Sequence, residues 1–212
     1  MRRERIAGIL MAAGASQRLG QSKQLLVWRG RPLIAHVAQT ALDARLDPVI
    51  VVIGHRAGEM RAALQSLAVI VVENPRWPDG MSTSMHAGLS ALPADVDAAL
   101  FLLVDQPRIT ADYLRAMVAA YRASRKPIVV SAFQGKRASP TLFDRSLFDQ
   151  LRRITGDVGG RAVIDASPNL VAMVEADDEA TLLDIDTPED WQRIGNGLLR
   201  TTDKRIPDSP AR

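Results

Sequence analysis

The sequence contains no cysteine among its 212 residues. Cysteine supplies the nucleophile of thiol enzymes, disulfides, and the thiolate ligands of zinc and iron–sulfur sites, so these classes are excluded. The three histidines, at positions 36, 55 and 86, share no short ligand spacing, which argues against a histidine-built metal site. No apolar run reaches the roughly 18 residues that a membrane-spanning helix requires. The basic start, Met1–Ile6, precedes no small-residue cleavage site, so we expect a cytoplasmic protein without a signal peptide.

Aromatic residues and excess charge in the body of the chain are also scarce. Three Trp, two Tyr and four Phe are too few to indicate a base-stacking surface. The net charge of +3 arises at the two ends, because residues 1–5 and 200–212 each contribute +2 whereas residues 6–199 carry −1. This distribution favours a charge that serves solubility over one that recruits nucleic acid. We therefore expect neither a nucleic-acid partner nor a membrane partner.

Uniformly apolar runs alternate with amphipathic segments along the chain. The runs predict strands that are covered on both faces, as in a parallel sheet. They are Ile6–Ala12, Pro48–Ile53, Ala68–Val72 and Ala98–Val104, with shorter candidates at Pro127–Ala132 and Leu170–Val174. The amphipathic segments predict helices over residues 32–44, 57–67, 82–92, 110–123 and 188–199.

This alternation predicts an α/β fold, a three-layer α/β/α sandwich around an open and mostly parallel sheet. The sequence has no internal repeat, so we expect one domain over residues 1–199. Residues 200–212 include two prolines and few apolar side chains, which predicts a disordered tail. Ligands of such sheets bind beyond the carboxyl ends of the strands.

The segment after the first predicted strand carries the sharpest functional signal. It reads AAGASQRLGQSKQ over residues 12–24. Its small residues let backbone N–H groups approach a ligand, and Ser16, Arg18 and Lys23 add groups that suit a polyphosphate. The spacing matches neither a Walker A loop nor a GxGxxG turn. Gly14 alone is more typical of a plain turn, but the whole constellation predicts phosphate binding.

Two further segments have both a chemical and a structural interpretation. Asp105 follows the most apolar strand and precedes Gln106-Pro107. A carboxylate there suits Mg²⁺, although aspartate shortly before proline is also a common turn residue. The segment GMSTS, residues 80–84, precedes a predicted helix. Its hydroxyls and free N–H groups can hold an anion or simply cap the helix.

Two motifs lie nearer the C-terminus. The segment GDVGGR, residues 156–161, is by itself a glycine-rich loop that enters a helix. Alternation around Ile185 predicts that Asp184 and Asp186 point to one face of a short strand. From there they can approach Asp105 and complete a metal site. Asp186 can instead cap the following helix beside Thr187.

The pattern AAGxSxRxGxxKQ of residues 12–24 resembles the opening motif of the nucleotidyltransferases with a Rossmann-like fold. Within them it is most similar to the molybdenum cofactor cytidylyltransferase group. The guanylyltransferases of that pathway and the methylerythritol-phosphate cytidylyltransferases have related openings. The resemblance spans about residues 5–195, and its motifs occur in the same order.

The resemblance implies a Mg²⁺-dependent enzyme that moves CMP from CTP to a phosphorylated acceptor. The expected acceptor is molybdenum-bound molybdopterin, and the product would pass to a molybdoenzyme. An acceptor phosphate oxygen would attack the α-phosphorus while pyrophosphate leaves in line, so the protein would act by positioning and charge stabilisation. The resemblance implies catalytic roles for Lys23, Arg18 and Asp105, with Asp105 and Asp186 as metal ligands. The implied nucleotide-binding residues are Ala12, Ala13, Gly14, Ser16, Arg18, Lys23, Gly80, Ser82 and Ser84.

Ala13 carries a separate expectation about the base. Guanylyltransferase relatives tend to have a second glycine at this place. A methyl group would narrow the base pocket and favour a pyrimidine, and discrimination resting on one methyl group amounts to about 1–3 kcal/mol.

One departure leaves the acceptor open. The group usually has Gly-Asn-Pro after a basic residue, whereas this chain has Ala138-Ser139-Pro140 after Arg137. The alternatives are a related enzyme that uses GTP, or one that acts on methylerythritol phosphate or a sugar phosphate. A non-catalytic maturation protein that binds a nucleotide-bearing cofactor is another. A nicotinamide-dependent oxidoreductase shares the sheet type, but the missing GxGxxG turn argues against it.

Overall fold

A seven-stranded sheet forms the centre of the computed structural model, which describes residues 4–16 and 22–195. The strands of the described residues are β1 (Ile6–Ala12), β2 (Val27–Trp28), β3 (Arg31–Pro32), β4 (Val49–Ile53), β5 (Ile70–Glu73), β6 (Ala98–Leu103), β7 (Ile128–Phe133), β8 (Lys136–Asp144) and β9 (Val171–Glu175). The sheet has the order β5-β4-β1-β6-β8-β7-β9, and β2 and β3 pair separately as a small hairpin. The predicted tail, residues 200–212, lies outside the described residues.

Helices cover both faces of this sheet. They are α1 (Leu33–Asp43), α2 (Ala57–Leu64), α3 (Met81–Ser90), α4 (Ala111–Ser124), α5 (Phe148–Arg152), α6 (Arg161–Ala166) and α7 (Pro188–Gly195). One apolar core lies between the sheet and α1, α2, α4 and α7, and a second lies between the sheet and α3, α5 and α6. The predicted three-layer α/β/α sandwich is confirmed.

Alternation within the strands explains why they are apolar at successive positions. In β1, Leu10 packs into the first core and Ile9 into the second. In β4, Val51 and Val52 divide between the two cores in the same way. A strand buried on both faces has no solvent side on which polar residues are preferred. The strand β1 pairs in parallel with β4 and β6, as the sequence predicts.

The antiparallel strand β8 is absent from the sequence prediction. It pairs with β6 on one side and β7 on the other. A two-residue turn joins it to β7, and both turn residues, Gln134 and Gly135, have positive φ. Such turns match the twist of a hairpin. The first half of β8 is charged and exposed, and only its second half, around Leu142 and Phe143, is buried, so its apolar signal is short.

Parallel register places the ends of β1 and β6 side by side. Met11 is the register partner of Leu103, two residues before Asp105. The segment that follows β1 and the aspartate that follows β6 therefore emerge at the same edge of the sheet. Over residues 4–16 and 22–195, no helix is long and apolar enough to cross a bilayer.

The helix α3 approaches the sheet closely at Gly88. A Cβ atom there would lie 2.6 Å from Ile9 Cγ2 and 3.3 Å from Val52 Cγ2. We expect Gly88→Ala to lower the free energy of unfolding by about 1–3 kcal/mol, because the added methyl group overpacks this contact.

The matched control is Gly58→Ala in α2, where an added Cβ meets no atom within 4 Å. This variant should raise the free energy of unfolding by about 0.4–1 kcal/mol, because alanine restricts the unfolded chain. Urea denaturation measures both changes. Stabilisation by both substitutions would contradict the packing of α3 on β1.

Candidate active site

An ammonium group between two carboxylates marks the carboxyl edge of the sheet. Lys23 Nζ donates hydrogen bonds to Asp105 Oδ2 at 2.7 Å and to Asp186 Oδ1 at 3.0 Å. The side chains of Lys23 and Asp105 are only 13% and 17% exposed, so water screens their ion pair weakly. Three segments distant in sequence thus converge; Lys23 and Asp105 follow the neighbouring parallel strands β1 and β6.

The segment around Asp186 is tied to Asp105 by the main chain. The Ile185 N–H donates to the Asp105 carbonyl at 2.9 Å, and the Ile185 side chain is fully buried. The short strand predicted here is wrong, because residues 183–186 lie outside any strand. One hydrogen bond to Asp105 takes the place of a strand ladder. The Ile185 side chain is buried, while Asp184 and Asp186 on either side of it keep exposed surface.

The helix cap of α7 is formed by residues other than Asp186. The Thr187 hydroxyl accepts the Asp190 N–H at 3.2 Å, and the Asp190 carboxylate accepts the Thr187 N–H at 3.0 Å. This reciprocal pair is a capping box. The carboxylate of Asp186 contacts Lys23 instead of serving as the cap.

Gln24 holds the two ends of the first loop together. Its Nε2 donates to the Gly14 carbonyl at 2.7 Å and to the Ala12 carbonyl at 3.2 Å. Its Oε1 accepts the hydroxyls of Ser22 and Ser16 at 2.7 and 3.1 Å. The side chain is nearly fully buried. Gln24 belongs to the opening motif, but its role could not be predicted, because composition does not reveal that a glutamine is buried.

A cavity of about 640 Å³ opens above the Lys23 ion pairs. Most of the predicted site residues line it: Ala12, Ala13, Gly14, Ser16, Lys23, Gly80, Ser84, Asp105 and Asp186. Ser82 is not among the lining residues of the described chain, because its side chain is buried and its N–H donates to the Gly156 carbonyl. Arg18 lies outside the described residues.

The start of α3 is positioned by a buried asparagine. Asn74 Nδ2 donates to Thr83 Oγ1 at 2.9 Å and to Ser84 Oγ at 3.0 Å. Asn74 is itself anchored, since its N–H donates to the carbonyl of Ile53 at the end of β4. The first turn of α3 is thus fixed relative to the sheet edge, with the Ser84 hydroxyl at the cavity wall.

The glycine-rich loop 156–160 packs directly on the start of α3. A Cβ atom on Gly80, whose φ is +112°, would lie 2.5 Å from the Gly156 carbonyl carbon, so only glycine fits. The Met81 N–H donates to Asp157 Oδ1 at 3.2 Å. The start of α3, which borders the cavity beside Lys23, is therefore held by the glycine-rich loop 156–160.

A second cavity of about 630 Å³ adjoins the first, and Met11, Met81 and Leu103 line both. Its rim includes the basic side chains Lys136, Arg137 and Arg161. Its wall is apolar and comprises Met85, Phe101, Val130, Phe143 and Ile164. Two cavities that meet at one wall suit a reaction between two substrates.

Electrostatics keep the Lys23 side chain charged. Burial alone would lower the pKa of Lys23, but the charge of Asp105 and hydrogen bonds to both aspartates outweigh it and raise that pKa. Desolvation, followed by repulsion from Asp105 and Asp186, raises the pKa of Asp184 to about 6. Asp184 nonetheless keeps an exposed surface, so water reaches this carboxylate. Within the described residues, the site therefore combines the charged ammonium group of Lys23 with closely spaced carboxylates.

The carboxylate oxygens of the site fit a divalent cation whose coordination shell is completed by the substrate. Asp105 Oδ1 is buried and accepts no hydrogen bond within the described part of the chain. No group of three acidic or histidine side chains in residues 4–16 and 22–195 is arranged to enclose a metal. Mg²⁺ is commonly held by one or two carboxylates together with phosphates and water. Asp105 and Asp186 match that requirement.

The parallel sheet, the small-residue loop and the paired aspartates together define a Rossmann-like nucleotidyltransferase. A model of the MobA-like NTP transferase domain matches residues 8–172, which is most of the chain. The protein belongs to this family, and the resemblance seen in its opening motif is confirmed.

Curated relatives extend over nearly the whole chain. Nicotine blue oxidoreductase of Paenarthrobacter nicotinovorans is 32% identical, over 89% of this chain and 96% of that protein. The purine catabolism protein PucB of Bacillus subtilis is 31% identical, over 93% of this chain and 100% of that protein. The molybdenum cofactor cytidylyltransferase of Escherichia coli is 28% identical, over 86% of this chain and 92% of that protein.

Among solved structures, Rv0371c of Mycobacterium tuberculosis matches with a TM-score of 0.80 and 27% identity. The match covers 91% of this chain and 98% of that one. A second crystal structure of Rv0371c is a complex with manganese. A related protein of the same fold thus binds a divalent cation.

The Gln24 network generates a testable expectation. We expect Gln24→Leu to lower the free energy of unfolding by about 1–3 kcal/mol, because it removes the partner of the buried Ala12 carbonyl, of the Gly14 carbonyl and of two serine hydroxyls. Amide hydrogen exchange at Ala13–Ser16 should accelerate.

Gln39→Leu on α1 is the matched control, because Gln39 donates only to the exposed Asp43. Its effect on the free energy of unfolding should stay within about 0.5 kcal/mol. If both variants unfold alike and exchange at Ala13–Ser16 is unchanged, Gln24 does not hold the loop.

Proposed function

We propose that this chain is a cytidylyltransferase that moves CMP from CTP to a phosphorylated acceptor, molybdenum-bound molybdopterin. The products would be molybdopterin cytosine dinucleotide and pyrophosphate. The observation that carries the proposal is the placement of Lys23 and two aspartates on one wall of a cavity lined by the loop after β1. A second cavity with a basic rim adjoins it.

The reaction is an in-line displacement at the α-phosphorus of the nucleotide. An acceptor phosphate oxygen forms the new bond, and the bond to the pyrophosphate oxygen breaks. Lys23 and Arg18 stabilise the negative charge that develops on pyrophosphate, and the backbone N–H groups of the loop 12–16 help to hold the triphosphate. Losing one such interaction typically costs on the order of 10²–10³ in rate.

Mg²⁺ would be held by Asp105 and Asp186 together with phosphate oxygens. When bound, such an ion neutralises phosphate charge and polarises the α-phosphorus. Two observations support this assignment: Asp105 Oδ1 has no hydrogen-bond partner among the described residues, and Rv0371c has been solved as a complex with manganese.

The choice of CTP rests on Ala13. Its side chain is buried at the wall of the nucleotide cavity, and its carbonyl accepts the His55 N–H at 3.0 Å. That hydrogen bond fixes the backbone, so the Ala13 methyl group cannot withdraw easily from the cavity. A narrower pocket favours a pyrimidine over a purine.

The choice of acceptor rests on the second cavity and on the relatives. Its apolar wall suits the flat face of a ring system. Lys136 at the rim, beside Arg137 and Arg161, which pair with Asp165, suits a phosphate. The Escherichia coli relative is named a molybdenum cofactor cytidylyltransferase. We include in the proposal a cytoplasmic reaction, a single catalytic domain over residues 1–199, and delivery of the product to a molybdoenzyme.

A direct assay tests the proposal. Pyrophosphate release is measured with CTP, GTP, ATP and UTP, each with Mg²⁺. The acceptors compared are molybdenum-bound molybdopterin, methylerythritol phosphate and a sugar phosphate. The expected result is release that requires the acceptor and prefers CTP over GTP. A GTP preference would overturn the role of Ala13, and acceptance of only methylerythritol phosphate or a sugar phosphate would overturn the acceptor.

A second candidate function follows from one relative. Nicotine blue oxidoreductase covers nearly the full chain at 32% identity, so an oxidoreductase on this frame is the alternative. Oxidation of NADH or NADPH by the protein with nicotine blue, without pyrophosphate release from any nucleotide, would favour that alternative over nucleotidyl transfer.

Asp105 provides a prediction about metal use. We expect Asp105→Asn to shift the Mg²⁺ concentration for half-maximal pyrophosphate release upward by at least tenfold, because an amide oxygen carries no net charge. Asp112→Asn on α4 is the control, since that aspartate is exposed and pairs with Arg115 away from the cavity. An unchanged Mg²⁺ titration for Asp105→Asn would remove Asp105 from the metal site.

A further inference from the structure

We propose that Lys23 excludes the divalent cation from Asp105 and Asp186 until a nucleoside triphosphate draws the ammonium group away. This inference rests on the proposed function of the nucleotide cavity and adds an order to it. Metal ion and triphosphate would bind as one event, with Lys23 exchanging one set of oxygens for the other.

The ammonium group of Lys23 occupies the place between the two candidate metal ligands. Its nitrogen lies 2.7 Å from Asp105 Oδ2 and 3.0 Å from Asp186 Oδ1, so it bridges the carboxylates that are the candidate metal ligands. A metal that used the same oxygens would sit beside the ammonium, and two cations at such separation in a half-buried site repel strongly. The ion pairs and a metal held by both aspartates therefore exclude each other.

The remaining donors are insufficient to hold a metal while Lys23 stays. Asp105 Oδ1 is buried and unpartnered within the described residues, but it is a single oxygen, and the neighbouring carboxylates of Asp184 and Asp186 do not complete a three-ligand set with it. The described residues also contain no group of three acidic or histidine side chains that could enclose a metal elsewhere in the site. Phosphate oxygens are the donors that can complete the coordination.

The side chain of Lys23 is able to move while its backbone stays fixed. The Lys23 N–H donates to Ser16 Oγ at 3.2 Å, and the next residue, Gln24, is locked to the loop carbonyls. The ammonium sits at the end of a flexible four-carbon chain and borders the cavity of about 640 Å³. A triphosphate in that cavity offers new anionic oxygens within reach of the same backbone position.

Metal and nucleotide affinities must then be coupled in both directions. Whatever factor the triphosphate adds to metal affinity, the metal adds to triphosphate affinity. In the absence of nucleotide, Lys23 acts as a built-in competitor that lowers metal affinity.

The test measures Mn²⁺ binding to the nucleotide-free full chain by electron paramagnetic resonance of free Mn²⁺. Lys23→Met retains the length of the side chain and removes its charge. We expect Lys23→Met to bind Mn²⁺ at least tenfold more tightly than the wild type. Lys126→Met is the matched control, because it removes one positive charge at a lysine whose ammonium contacts the Asn169 carbonyl, away from both cavities. Its Mn²⁺ affinity should stay within twofold of the wild type.

Equal Mn²⁺ affinity in Lys23→Met and the wild type would overturn the inference. If Lys23→Met does not fold, Lys23→Gln replaces it. A second measurement uses only the wild type. Mn²⁺ alone should bind to it at least tenfold more weakly than Mn²⁺ in the presence of CTP. Equally tight binding of Mn²⁺ without CTP would contradict the inference. If the Lys23 variant gains Mn²⁺ affinity but no nucleotide changes the wild-type affinity, the exclusion stands and the proposed nucleotide function fails.

Discussion

The ion pairs of Lys23 with Asp105 and Asp186 depend on the parallel pairing of β1 with β6 and on one main-chain hydrogen bond. Register between β1 and β6 brings the first loop beside Asp105. The hydrogen bond from Ile185 to the Asp105 carbonyl then places Asp186 on the other side of Lys23. Disturbing either contact would separate Lys23 from its carboxylates. It would also move these three side chains relative to the cavity that they line.

The start of α3 connects the two halves of the site. Its first turn borders the cavity beside Lys23, and the N–H groups of Ser82 and Met81 donate to Gly156 and Asp157 of the glycine-rich loop. The Met81 side chain lines both cavities. Contacts at the start of α3 therefore link the walls of the two cavities.

Much of the fold could be predicted because parallel strands carry a strong local signal. The strands β1, β4 and β6 could be predicted from their uninterrupted apolar runs, since both of their faces are buried. The strand β8 could not be found in this way, because its exposed first half is polar. The proximity of Lys23 to Asp105 was predictable, because they follow the adjacent strands β1 and β6. The strand that was expected to bring Asp186 there is absent, and a main-chain hydrogen bond places this residue instead. The buried roles of Gln24 and Ser82 were not, because hydrogen bonds between distant segments determine them.

A crystal structure with Mn²⁺ and a non-hydrolysable CTP analogue tests the central claim most directly. The account predicts an anomalous manganese peak within bonding distance of Asp105 and Asp186, with Lys23 Nζ moved from both carboxylates to a phosphate oxygen. A structure in which Lys23 still bridges the two aspartates while the metal and the triphosphate bind elsewhere would contradict it.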